Sequence, residues 1–71
     1  MEIGQAMETD RSRAPRLIRL KEVKHRTGLS TATVYRRMKE GTFPQSHSLG
    51  GSMVAWSEAE VEDWIFAALR S

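Results

Sequence analysis

Between residues 30 and 39 the sequence gathers Ser30, Thr31, Thr33, Tyr35, Arg36, Arg37 and Lys39. Hydroxyls, which donate and accept, beside guanidinium and ammonium groups, which only donate, form a donor set suited to phosphate oxygens and base edges. Arg36 is the best base-reading candidate: its fork can hold both acceptors of a guanine edge, although the same fork serves a phosphate equally well. Tyr35 and Lys39 are placed to approach the backbone of the nucleic acid. Catalysis finds no such grouping. The chain has no cysteine, two isolated histidines (His25 and His47), no Gly-Lys-Ser or Gly-Lys-Thr phosphate loop, and no nucleophile beside a base. Neither an enzyme nor a bound metal or cofactor is expected, and the carboxylates near the carboxyl end are read as facing solvent.

These side chains need a helix to present them. Ser30 is suited to cap one and Gly41 to end it, which predicts a helix over 31–40. At 100° per residue Val34 and Met38 share a core face, while Ala32, Thr33, Arg36, Lys39 and Glu40 point broadly away. Arg37 falls on the margin, where it either snorkels or touches phosphate. Tyr35 reads equally as a half-buried helix-edge residue with a wet hydroxyl. Upstream, Leu17, Ile18 and Leu20 suit a short entry strand or turn, followed by a first helix that ends before Gly28. Lys21, Lys24 and Arg26 on that helix are candidates for sequence-independent phosphate contacts, against the alternative of ordinary surface cations.

Beyond Phe43-Pro44, residues 48–55 read as two strands around Gly50-Gly51, a small wing with Ser52 as a hydroxyl donor near its tip. Ser57 and Glu60 form a capping box. Behind it Val61, Trp64, Ile65, Ala68 and Leu69 recur at i, i+3, i+4, i+7 and i+8, the pattern of an amphipathic helix. Trp56 and Trp64 are read as core anchors, and Phe66, outside the stripe, as an edge cover or a partner surface. The expected fold is mainly α with a small β-hairpin: a winged helix-turn-helix over residues 15–71 behind a flexible polar tail over 1–14.

Seventy-one residues allow one domain with a small core. The formal charge of +2 hides a segregation: residues 11–40 hold ten Lys or Arg against Glu22 and Glu40, while 1–10 and 57–71 are each net −3. A concentrated basic block is the electrostatic footprint of a polyanion binder. No apolar run approaches the ~20 residues of a membrane span, and 1–15 lacks a signal-peptide centre. A cytoplasmic, nucleoid-associated protein is the expectation.

Several short pieces recur in a known order: Arg16-Leu17-Ile18-Arg19-Leu20-Lys21-Glu22-Val23, Thr27-Gly28-Leu29-Ser30, Thr33-Val34-Tyr35-Arg36, Gly41-Thr42-Phe43-Pro44, Leu49-Gly50-Gly51, Trp56, Glu60-Val61 and Trp64-Ile65. Together they resemble the AlpA-type prophage regulators. The resemblance implies a winged helix-turn-helix related to excisionases and MerR-type domains, with double-stranded DNA as partner and a role in integrating or excising a mobile element. It leaves three functions open: a transcription regulator acting on an integrase gene, an excisionase that bends attachment-site DNA, or a module that inhibits another regulator. Phage integrase and RNA polymerase are the protein partners implied, with cooperative self-association on DNA as a further candidate. Two positions depart from the family pattern. Ser52 stands where Arg is common, and Arg37 stands where an apolar residue is usual.

Overall fold

Two hydroxyls and two glycines set where the helices begin and end. The computed structural model describes residues 15–71, so the tail expected over 1–14 lies outside the described residues. In chain order the elements are β1 (Leu17–Ile18), α1 (Leu20–Thr27), α2 (Thr31–Glu40), β2 (His47–Gly50), β3 (Met53–Ser57) and α3 (Glu58–Arg70). Ser30 Oγ accepts from the Thr33 amide at 3.2 Å, and Ser57 Oγ accepts from the Glu60 amide at 3.3 Å. Each cap satisfies an amide that the first turn of its helix leaves unpaired. At the far end of α2, Gly41 adopts φ 79°, and the Gly41 and Thr42 amides return to the carbonyls of Met38 and Arg37. That crossed pair of bonds closes the helix and requires a left-handed residue, which glycine supplies without a steric penalty. Gly28 closes α1 in the same conformation, φ 76°.

The expected hairpin is present, and it belongs to a larger sheet. β3 is the central strand of three, in the order β1-β3-β2, with both pairings antiparallel. Leu17 and Ile18 pair with Ser57 and Trp56, so the entry segment is a strand rather than a turn. The Glu58 amide donates to the Arg16 carbonyl at 2.7 Å, which extends that pairing to the start of α3.

Val23 of α1, Val34 of α2, Phe43, Trp56 of β3 and Val61 of α3 form the buried cluster. Ile18, Leu20, Leu29, Met38, Val54, Trp64 and Ile65 pack around it. Each helix therefore contributes one wholly buried valine, and Trp56, fully buried, supplies the largest side chain. The ring of Tyr35 meets Trp56 edge-on at 6.1 Å, and Phe43 meets Trp64 edge-on at 4.9 Å. The apolar stripe expected along α3 is shorter than its sequence pattern. Leu69 is 76% exposed and Ala68 is exposed, because the helix runs on past the small core that Val61, Trp64 and Ile65 cover.

With so few buried side chains, losing the largest leaves little stability in reserve. Trp56→Ala is expected to cost about 3–5 kcal/mol. Circular dichroism should show the thermal transition lost or moved far down, whereas Leu69→Ala should melt close to the parent.

Candidate nucleic-acid interface

The helix-turn-helix places α2 with one side in the core and the other open. Ala32, Tyr35, Arg36 and Lys39 are exposed on that open side, with Thr31 exposed at its first turn. Tyr35 lies at the margin facing Trp56 and β3, with its ring packed against Trp56 while the residue is 42% exposed. Arg36 reaches Glu40 one turn on at 3.5 Å, with both side chains more than half or about half exposed. An ion pair of that kind is held weakly against water, so exchanging Glu40 for a phosphate or base costs little. The first turn of α2 carries no acidic residue, unlike those of α1 and α3, so its partial positive end is not offset by a side chain.

Arg37 sits at the opposite margin and faces inward. Its guanidinium carbon stands 6.0 Å from the centre of the Trp64 ring, and its Nε is buried without a hydrogen-bond partner among the described residues. Of the two expected roles the geometry is that of a stem laid along the core, fastening the end of α2 to α3. Trp64 completes the fastening by donating from Nε1 to the Thr42 carbonyl at 2.8 Å. Gln45 Nε2 donates to the Met38 carbonyl at 2.8 Å, tying the approach to the wing to the end of the same helix. Gln45 carries no charge or motif signal, and Thr42 takes part through its backbone carbonyl, which side-chain chemistry does not reveal.

Ser30 lies at the start of α2 but is occupied: besides capping, its hydroxyl donates to Thr33 Oγ1 at 2.9 Å. Thr33 is half-buried. Ser52 is exposed at the wing turn. Lys21 is exposed and Lys24 partly so on α1, joined by Arg16 and Arg19, which frame β1 and were not among the expected contacts. The signal for those two is present in the basic run of 11–40.

Arg26 requires a correction. Expected to face phosphate, it is surrounded by carboxylates instead: Nε meets Glu22 Oε2 at 2.9 Å, and its two terminal nitrogens meet Glu58 at 2.8 Å and Glu62 at 3.3 Å. Glu58 also approaches Arg16 at 3.9 Å, and its side chain is only 16% exposed. The carboxylates of α3 therefore do not all face solvent, as had been expected. Two of them clamp α3 to α1, a partnership between elements thirty-odd residues apart that no local pattern displays. A guanidinium already holding three carboxylates has little left to offer an anion.

Among the described residues no group of three or more His, Cys, Asp or Glu side chains is arranged to hold a metal ion, and no helix is long and apolar enough to cross a membrane. What the geometry offers is an open helix face with Arg36, Lys39 and Tyr35, in a domain that also exposes Lys21 on α1 and Ser52 at the wing turn.

Residues 16–69 match the family model described as the prophage CP4-57 regulatory protein AlpA. The chain belongs to the AlpA family. It is similar to the DNA-binding transcriptional activator AlpA of Escherichia coli K12, 36% identical over 58 residues, covering 73% of this chain and 83% of that protein. It is also similar to the uncharacterized protein ORF88 of enterobacteria phage P4, 46% identical over 50 residues and 70% of this chain. The matched region spans only 57% of that phage protein's length. The match begins at Arg16 and ends at Leu69, so it takes in every element from β1 to nearly the end of α3.

The carboxylate cluster makes a prediction about acid. The hydrogen bond from Arg26 holds the Glu22 carboxyl below its ordinary value, with the nearby positive charges of Arg26 and His25 acting in the same direction against partial desolvation. A folded-state value below the unfolded one means that this contribution is complete above about pH 4.5, the ordinary value, and is lost as pH falls through the lowered one. Melting temperatures of Glu22→Gln should therefore depend less steeply on pH below about 4.5 than those of the parent. Identical acid limbs for both proteins would reject the assignment.

Proposed function

We propose that this AlpA-family protein is a sequence-specific DNA-binding transcription regulator of a prophage or genomic island, controlling integrase expression and thereby excision. The observation that carries the reading is the open face of α2. In a helix-turn-helix of known family it presents Arg36, Lys39 and Tyr35 together, beside a core that holds the helix rigidly at both ends. The activator name of the Escherichia coli relative supports the regulatory half of the proposal.

On this reading α2 enters the major groove of double-stranded DNA, with Arg36 on a base edge and Thr31, Tyr35 and Lys39 near it. Thr33 and the Ser30 hydroxyl border that contact from the helix start. Lys21, Lys24, Arg16 and Arg19 follow the phosphates, Ser52 can donate to one from the wing, and Arg26 and Arg37 hold the scaffold. So small a reading surface covers few base pairs, which favours repeated sites and several copies side by side on the DNA. RNA polymerase or a phage integrase is then met on the DNA in the bacterial cytoplasm. Exposed Phe66 and Leu69 on α3 are the apolar surface available for contacts between copies.

The test is fluorescence anisotropy with DNA from upstream of the neighbouring integrase gene against random duplex, over a salt series. Arg36→Ala should lose about 1–3 kcal/mol for the upstream site and little for random DNA. Lys24→Ala should weaken both about equally and lower the salt slope by about one. Equal losses on both DNAs for both variants would remove Arg36 from base reading; absence of binding to any duplex would end the proposal and turn attention to protein partners.

A further inference from the structure

An open groove of about 1020 Å³ lies between β1 and α1, lined by residues of both elements, by the turn at Gly28-Leu29 and by Glu58. Arg16, Arg19, Lys21, Lys24 and Arg26 bring five cations to it against two carboxylates, Glu22 and Glu58, so the lining carries a formal +3 with His25 neutral. Arg26 takes up both of those carboxylates, at 2.9 and 2.8 Å. Arg19, Lys21 and Lys24 make no ion pair among the described residues. Leu17, 51% exposed, and Leu29, half-buried, add apolar surface to the same lining. Like charges crowded along a groove repel one another, and an anionic occupant relieves that cost.

The chain itself holds a segment of matching charge directly before this groove. Residues 1–10 contain Glu2, Glu8 and Asp10 and no Lys or Arg, a net −3, with Ile3 and Met7 as apolar side chains among them. These positions lie outside the described residues, and their covalent reach is set by the sequence. Asp10 stands six positions before Arg16, a span of at most about 20–22 Å for extended chain, whereas the eight residues of α1 rise about 12 Å. Arg11 and Arg13 between them share the sign of the groove and are repelled by it, so the acidic part of the segment, rather than the stretch beside Pro15, is the part drawn in. An occupant tethered next to its site meets it at an effective concentration on the order of millimolar, so contacts too weak to hold a separate molecule are populated.

We infer that residues 2–10 of the same chain occupy the β1–α1 groove and act as a built-in competitor for the phosphates of DNA. Glu2, Glu8 and Asp10 pair with the cations of the groove, and Ile3 and Met7 cover Leu17 and Leu29. Arg16, Arg19, Lys21 and Lys24 are also the side chains assigned above to the phosphate backbone, so the competition rests on the DNA-binding reading, whereas the docking itself does not. While the segment is docked those phosphate contacts are closed, and the apparent affinity for any duplex falls by the fraction of molecules whose groove is open. The effect is independent of DNA sequence, because Arg36 and the rest of the α2 face are not covered. It fades with salt, since ion pairs open to water are screened.

The experiment uses the full chain, whose lack of cysteine lets Ala6→Cys carry a single nitroxide label. Nuclear magnetic resonance should show amide signals of Arg19, Lys21 and Lys24 broadened by the label. Those of the wing turn should stay sharp, because β1 pairs with the Trp56–Ser57 end of β3 and the turn lies at the other end. The broadening should be lost at about 1 M salt, where the screening length is about 3 Å. It should be lost as well when Glu2→Gln, Glu8→Gln and Asp10→Asn are combined, and in the double variant Lys21→Gln with Lys24→Gln. Saturating random duplex should release it in the labelled wild-type background. Uniform broadening, or broadening that survives removal of the acids, overturns the docking and leaves the DNA-binding reading intact. Broadening on an isotope-labelled chain caused by a nitroxide on a different chain overturns it in favour of contact between copies. Broadening that persists under bound duplex overturns the competition. Failure of the protein to bind any duplex overturns the competition together with the DNA-binding reading, and the signals recorded before DNA is added still decide the docking.

Discussion

Burial of the Trp56 indole is the constraint on which the rest of this small domain depends. The residue sits on the central strand, so fixing it fixes the strand pairing on both sides: β1 through Ile18 and β2 through the neighbouring Val54 and Ala55. Its ring lies in the core shared by the three helix valines and meets the Tyr35 ring of α2 in a T-shaped contact. Orientation of α2 against β3 is therefore set by one aromatic contact and the cluster behind it. The cost is visible in the indole Nε1, which is buried without a hydrogen-bond partner among the described residues. Such a group forfeits some of the stability its burial supplies, so the gain from the large apolar ring has to exceed that loss.

Charge is distributed by a related economy. Glu58 and Glu62 of α3 meet Arg26 of α1, so two elements far apart in sequence are joined by opposite charges. The same pairing occupies one positive charge of α1, while Arg36 and Lys39 stay exposed on the open side of α2. Trp64 and Arg37 do for the end of α2 what Arg26 does for α1, using a ring face in place of carboxylates.

Much of this was legible in the sequence, and the reasons are local. Helix ends follow from neighbours three or four residues apart, so Ser30, Gly41 and Ser57 marked α2 and α3 correctly, and Gly50-Gly51 marked the turn. The family resemblance was likewise carried by short ordered pieces. What sequence reading could not reach was pairing across the chain. A charge on α1 looks the same whether it meets phosphate or carboxylate, and only the fold brings Glu58 and Glu62 to Arg26. Periodicity likewise gives the direction of a helix face but not where the core ends, which is why Leu69 looked like core and is open. Arg37 was recognised as marginal because its angle falls between the two faces, and its place was decided by Trp64, twenty-seven residues on.

The two-residue strand β1 also determines how the chain assembles in time. α1 with α2, and β2 with β3, are partners close in sequence, so their contacts can form early and at small entropic cost. β1 is different: Leu17 finds Ser57 only across thirty-nine intervening residues. Among the described elements β1 is thus the last to be placed, held by two strand residues, the Arg16 carbonyl and the Glu58 amide. In the folded protein the same brevity makes that strand the first to let go, so opening of the domain begins at its amino-terminal edge.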